Sequence, residues 1–112
     1  MDKGLGQREL SFGQIISGAR KRKGLSQREL AAQILKEDGA PISPQYLNDL
    51  ERDRRNPPAE HLLEQFAGKL DLAPEYLYFA AGQFPADLRN QAYGPEQVTA
   101  AFQAFRRTLK GS

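Results

Sequence analysis

The chain contains no cysteine and a single histidine, His61. The first absence excludes disulfides, zinc–thiolate sites and thiol chemistry. The second leaves no histidine cluster for a metal, and His61 itself reads as a surface or packing residue beside Glu60 and Glu64. Long apolar runs are also missing. The longest, AAQIL and YLYFAA, fall well short of the roughly 18 residues of a membrane span. The first ten residues, MDKGLGQREL, lack the apolar core of a signal peptide, so a cytoplasmic location is expected. No Gly-rich phosphate loop, nucleophile elbow or catalytic carboxylate pair is present. The expectation is a protein that is not an enzyme and takes no cofactor or metal. No segment alternates convincingly enough for a β-strand, so an all-α chain is expected.

What is present is ordinary in amount: 39% apolar and 27% charged residues over 112, enough for one small domain. Net charge is only +2, so its distribution says more than its sum. Arg20, Lys21, Arg22, Lys23 and Arg28 form one basic cluster. Arg52, Arg54 and Arg55 form a second. If folding joins them, they make a face suited to phosphates; otherwise they are two solvated charge runs.

Two near-identical stretches, GLGQREL at 4–10 and GLSQREL at 24–30, differ only at Gly6 against Ser26. Ser26-Gln-Arg-Glu29 is a capping box, in which a serine hydroxyl and a glutamate satisfy free N–H groups at a helix start. Gly6 cannot supply that hydroxyl. Residues 1–10 are therefore read as a leading arm rather than a second unit.

Capping residues and apolar periodicity mark six helices. Ser11-x-x-Gln14 opens helix 1, roughly 12–23, with Phe12, Ile15, Ile16 and Ala19 on one face and Gly24 at its end. Helix 2 starts at Gln27, with a stripe of Leu30, Ala31, Ile34 and Leu35 and a stop at Gly39 and Pro41. Ser43 and Pro44 open helix 3, roughly 44–53, with Leu47 and Leu50 inward. Helix 4, roughly 58–70, buries Leu62, Leu63, Phe66 and Leu70. Helix 5 runs from Pro74 to Gly82, with Tyr76, Leu77 and Phe79 as core candidates. Ala73 offers it no side-chain cap. Residues 82–94 read as a loop with one possible helical turn. Helix 6, roughly 95–109, carries Val98, Phe102, Phe105 and Leu109 on one face.

From Phe12 to Gly82 the chain resembles the Xre/Cro-type (phage-repressor-like) helix-turn-helix family. The resemblance rests on Arg20, Gly24-Leu25-Ser26-Gln27, Leu30-Ala31 and Ile42-Ser43-x-x-Tyr46-Leu47-x-x-Leu50-Glu51-x-x-Arg54, in that order. It covers about two-thirds of the chain. It implies an all-α, five-helix, lambda-repressor-like DNA-binding domain at 11–82; residues 83–112 lie beyond the resemblance and read as a C-terminal helical extension. It also implies double-stranded DNA as partner and helix 3 in the major groove. Ser43, Gln45, Tyr46 and Asp49 are the expected base contacts: an amide pairs with adenine, a carboxylate accepts from a cytosine amine, while Ser43 could touch a phosphate instead and Tyr46 could pack over the sugar-phosphate backbone or meet a thymine methyl. Asp49 could instead pair with Arg52 within the helix. Gln27, Arg28, Arg52, Arg54, Arg55 and Asn56 are the expected phosphate contacts. Arg20 and Glu51 are expected to form a structural ion pair.

One departure from the family pattern stands out. Gln27 and Ser43 are sixteen residues apart, several more than the tight motif uses. Either helix 2 is a turn longer or the connection is an extended loop. Val98, Phe102, Phe105 and Leu109 suit a homodimer interface, since paired half-sites multiply specificity; an intrachain sixth helix is the other possibility. The function expected is a sequence-specific transcriptional regulator, a dimeric repressor. The alternatives are a protein-interaction regulator, such as an antitoxin or a peptidase-controlled repressor, and a nonspecific nucleic-acid adaptor.

Overall fold

The computed structural model describes residues 10–111. The expected arm at 1–10 lies outside them except for Leu10. Seven helices follow one another: α1 (Phe12–Arg22), α2 (Gln27–Gln33), α3 (Pro44–Glu51), α4 (Glu60–Leu70), α5 (Pro74–Ala81), α6 (Ala86–Arg89) and α7 (Pro95–Lys110). Among the described residues there is no β-strand, only one isolated bridge between Leu35 and Pro41. None of these helices is long and apolar enough to cross a membrane.

The caps explain where the helices begin. Ser11, Ser26 and Ser43 each accept a hydrogen bond from the third backbone N–H of their helix. At Ser11 and Ser26 the glutamine or glutamate reaches back to the cap N–H, closing both boxes. Ala73 gives α5 no side-chain cap, as its methyl group dictates. Helix ends are equally local. Gly24 and Gly82 take left-handed backbone angles, where a Cβ is costly.

Asp53 takes the same left-handed conformation after α3, with φ 59°. The Asp53 N–H meets the Leu50 carbonyl and the Arg54 N–H meets the Asp49 carbonyl, a Schellman closure without glycine. Its carboxylate then turns to α1, accepting from the Ser11 hydroxyl and the Gly13 N–H. One residue thus closes α3 and opens α1.

The core lies between α1, α2, α3, α4 and α5. Ile16, Leu30, Ile34, Leu47, Leu50, Leu63, Phe66 and Leu77 are its largest fully buried side chains. Each contributes roughly 1.5–3 kcal/mol by leaving water. Gly13 lies where α1 crosses the end of α3; a Cβ there would sit 2.5 Å from the Glu51 carbonyl oxygen.

Several sequence expectations need correction. Helix 2 does not run on toward Gly39: it ends at Gln33, and Ile34 is extended. Residues 34–42 instead fold as a small hairpin. The Ile42 N–H donates to the Ile34 carbonyl and the Lys36 N–H to the Ala40 carbonyl. The extended loop is therefore the outcome of the sixteen-residue spacing. Ile34 is still buried, but Leu35 is exposed, because a strand alternates faces where a helix would not. In α5 the buried pair is Leu77 and Tyr78; Tyr76 and Phe79 are exposed. The Tyr78 hydroxyl reaches Glu64 at 2.9 Å, which lets the ring enter the core with its polar end satisfied. Helix α4 begins at Glu60 rather than 58 and α3 stops at Glu51 rather than 53; the single helical turn expected in the loop after Gly82 is the four-residue α6.

Candidate nucleic-acid interface

The first and third helices are joined by a buried ion pair. Arg20 Nε and Nη2 donate to Glu51 Oε2 and Oε1 at 2.7 and 2.9 Å. Arg20 Nη1 also reaches the Leu25 carbonyl at 2.8 Å. Both side chains are about nine-tenths buried. The hydrogen bond to Glu51 raises the Arg20 guanidinium pKa, against the opposing effect of burial. The geometry is bidentate, the arrangement that suits a planar guanidinium.

Gln27 extends this network toward the surface. Its Nε2 donates to Glu51 Oε1 at 2.9 Å and to Asn48 Oδ1 at 3.2 Å. Both amide hydrogens are thus engaged within the domain, and the start of α2 is fastened to the middle of α3.

The outer face of α3 follows from its periodicity. Leu47 and Leu50 are buried, which leaves Gln45 exposed and Tyr46, Asn48 and Asp49 half-buried. Gln45 Nε2 donates to Asp49 Oδ1 at 3.0 Å, one helical turn along. The local partner of Asp49 is therefore Gln45. Tyr46 packs against the core edge, and the Arg55 guanidinium lies 4.9 Å from its ring centroid, a cation–π contact. Burial pushes the Tyr46 hydroxyl above its ordinary pKa, and Arg55 partly offsets this. Ser43 caps α3 through its hydroxyl. Arg28, Arg52, Arg54, Arg55 and Asn56 are all exposed.

Of the residues picked out by sequence, Gln45, Tyr46 and Asp49 share α3, Gln27 is tied to that helix through Asn48 and Glu51, and Arg55 lies over Tyr46. The α7 residues lie elsewhere. Phe105 meets Phe79 and Phe102 meets Phe84, each pair with centroids 6.0 Å apart. No α7 residue is buried; Val98, Phe102, Phe105 and Leu109 remain 41%, 40%, 45% and 62% exposed.

Sequence reasoning missed Asn48 and Asp53. Asn48 is recruited by a residue 21 positions upstream, a distance over which no local pattern speaks. Asp53 left a fainter signal, an aspartate at the position where a helix often ends in glycine.

The helix-turn-helix family pattern ("Helix-turn-helix") matches residues 16–77. That is more than half of the chain, and the chain belongs to this family, in its Xre/Cro-type branch. Its class is that of DNA-binding transcriptional regulators. Among solved structures it is similar to SinR, described as the master regulator for biofilm formation, in complex with DNA. The identity is 32% and the TM-score 0.50, over 59% of this chain and 95% of that one. It is also similar to the clp gene regulator ClgR from Corynebacterium glutamicum, with 25% identity and a TM-score of 0.50 over 88% and 86% of the two chains. A SinR–SinI complex shares the fold at 22% identity and a TM-score of 0.51, covering 90% of this chain and 99% of that one. No curated protein matches the chain.

Proposed function

We propose that this protein is a sequence-specific repressor that binds double-stranded DNA as a homodimer. In this reading residues 11–82 are the DNA-binding domain and 83–112 the dimerisation extension, with 1–10 as a leading arm. The observation that carries the proposal is the exposed outer face of α3, where Gln45 is hydrogen-bonded to Asp49 and Arg55 lies over Tyr46. The face is held rigid from behind by the Arg20–Glu51–Gln27 network. A helix presented in this way enters the major groove with its N-terminal side chains against base edges. Ser43, Gln45, Tyr46 and Asp49 contact bases; Arg28, Arg52, Arg54, Arg55 and Asn56 contact phosphates, and Gln27 does so through its backbone N–H at the start of α2, its amide being engaged within the domain. The DNA complex of SinR supports the same use of the domain here. Repression follows from occupancy, since a bound dimer excludes other proteins from the duplex.

Dimerisation is supported by the apolar surface of α5, α6 and α7. Val98, Phe102, Phe105 and Leu109 join exposed Phe79, Phe84, Leu88 and Tyr93, apolar side chains that a second copy of the chain would cover. The same surface is what favours the second reading, a regulator whose partner is another protein. Phe102→Asp should convert a dimer to a monomer in sedimentation analysis while leaving the helical spectrum intact. A wild-type chain that sediments as a monomer at 100 μM overturns the dimer.

Site selection from a random duplex library, followed by titration at several salt concentrations, tests the DNA reading. A two-fold symmetric site is expected, bound about a thousandfold or more tighter than random duplex. Arg54→Ala and Arg55→Ala should each weaken binding to all sequences alike and flatten the salt dependence by about one ion. Equal binding to any duplex would instead mark a nonspecific adaptor.

A further inference from the structure

The hydrogen bond between Gln45 and Asp49 has a consequence for which bases this face accepts. Gln45 has two amide hydrogens, and Asp49 Oδ1 holds one of them at 3.0 Å. The amide can no longer turn over freely. Its nitrogen is held toward the C-terminal end of α3, leaving one N–H and Oε1 free. That donor–acceptor edge complements adenine, which offers N7 as acceptor and N6 as donor. Asp49 keeps its second oxygen, which is acceptor-only and charged. Among the described residues no ion pair involves Asp49, and Arg55 lies over Tyr46 instead. Guanine presents N7 and O6 to the major groove and thymine presents O4, acceptors that a carboxylate repels. Adenine sets its N7 acceptor beside its amine. Cytosine alone offers only the N4 amine. The two residues are one turn apart, about 6 Å along the helix, a distance of about two base steps.

We propose that Gln45 and Asp49 act as one coupled reading unit, selecting adenine under Gln45 and, within two base steps, cytosine under Asp49. The proposal rests on the DNA-binding reading above. Both residues lie on the outer face, so their variants should keep the helical spectrum and thermal midpoint of the parent.

Site selection with the wild-type chain, Asp49→Asn and Asp49→Ala provides the test. The wild type should enrich adenine and cytosine at two fixed neighbouring positions of each half-site. Asp49→Asn keeps an acceptor for Gln45 but gains a donor, so adenine enrichment should persist while the cytosine position admits guanine and adenine. Asp49→Ala should lose the cytosine preference by about tenfold and weaken the adenine preference as well, because the amide is released. An unchanged selected sequence for Asp49→Ala overturns the proposal and leaves the DNA reading standing. Loss at the cytosine position alone, with adenine selection untouched, also overturns it, since the two would then read independently. Failure of the wild type to select any sequence overturns the DNA reading and this proposal with it.

Discussion

Removing the Glu51 carboxylate should nearly unfold the domain. In Glu51→Ala, Arg20 keeps its charge and its burial but retains only the Leu25 carbonyl as partner. Gln27 loses its shorter acceptor at the same time. Stranding one member of a buried pair costs about 3–5 kcal/mol. A whole domain of this size is stable by roughly 5–15 kcal/mol, so the variant should sit close to its unfolding threshold. One kcal/mol shifts the midpoint of a 60–100-residue domain by about 4–8 °C, which places the expected drop above about 12 °C. Urea titration followed by far-ultraviolet circular dichroism measures the loss. The companion variant Arg20→Met/Glu51→Leu removes both charges and fills the space with apolar atoms. It should recover most of the stability, because desolvating two charges offsets much of their attraction. A Glu51→Ala variant that loses under about 1 kcal/mol would refute the reasoning. So would a double variant as unstable as the sum of its two single components.

Two further outcomes follow from local geometry. Gly13→Ala should destabilise by about 1–3 kcal/mol despite alanine's higher helix propensity, because the new methyl meets backbone carbonyls of α3. Gly68→Ala, with nothing within 4 Å of its Cβ position, should gain up to about 1 kcal/mol; thermal melts of both variants check the contrast. Burial, with the Glu64 hydrogen bond second, pushes the Tyr78 hydroxyl up to about 12 from its ordinary value near 10. Between those values the folded chain keeps a proton that the unfolded chain has lost, so stability should fall with rising pH by up to about 1.4 kcal/mol per pH unit. Chemical denaturation from pH 9.5 to 12 should show that extra slope in the parent and not in Tyr78→Phe.

Most of the fold was legible because its signals are local. Ser11, Ser26 and Ser43 sit directly before the apolar stripes they cap, and each does cap a helix. Arg20 and Glu51 required the family resemblance, since nothing in either segment alone names its partner. The end of α2 was not legible. Ile34 and Leu35 continue a helical apolar pattern, and the competing signal, a hairpin closed between Leu35 and Pro41, depends on pairing across a turn. In α5 the adjacent Tyr76, Leu77, Tyr78 and Phe79 are all apolar enough for a core. Which two are buried is settled by where α4 lies, with Glu64 in reach of Tyr78. On the outer face of α3 the residue types were legible, but the orientation of the Gln45 amide was not.

The hairpin between α2 and α3 is clasped by α4. The Leu35 N–H ends on Gln65 Oε1 at 3.1 Å, and His61 Nε2 donates to the Leu35 carbonyl at 2.9 Å. A longer connection would ordinarily mean looser tilt of the helix it precedes. Here the extra length is stiffened by α4. On the DNA-binding reading proposed above, changes at His61 or Gln65 would therefore shift how steeply α3 lies in the groove, and so the preferred distance between half-sites, without altering which bases are chosen.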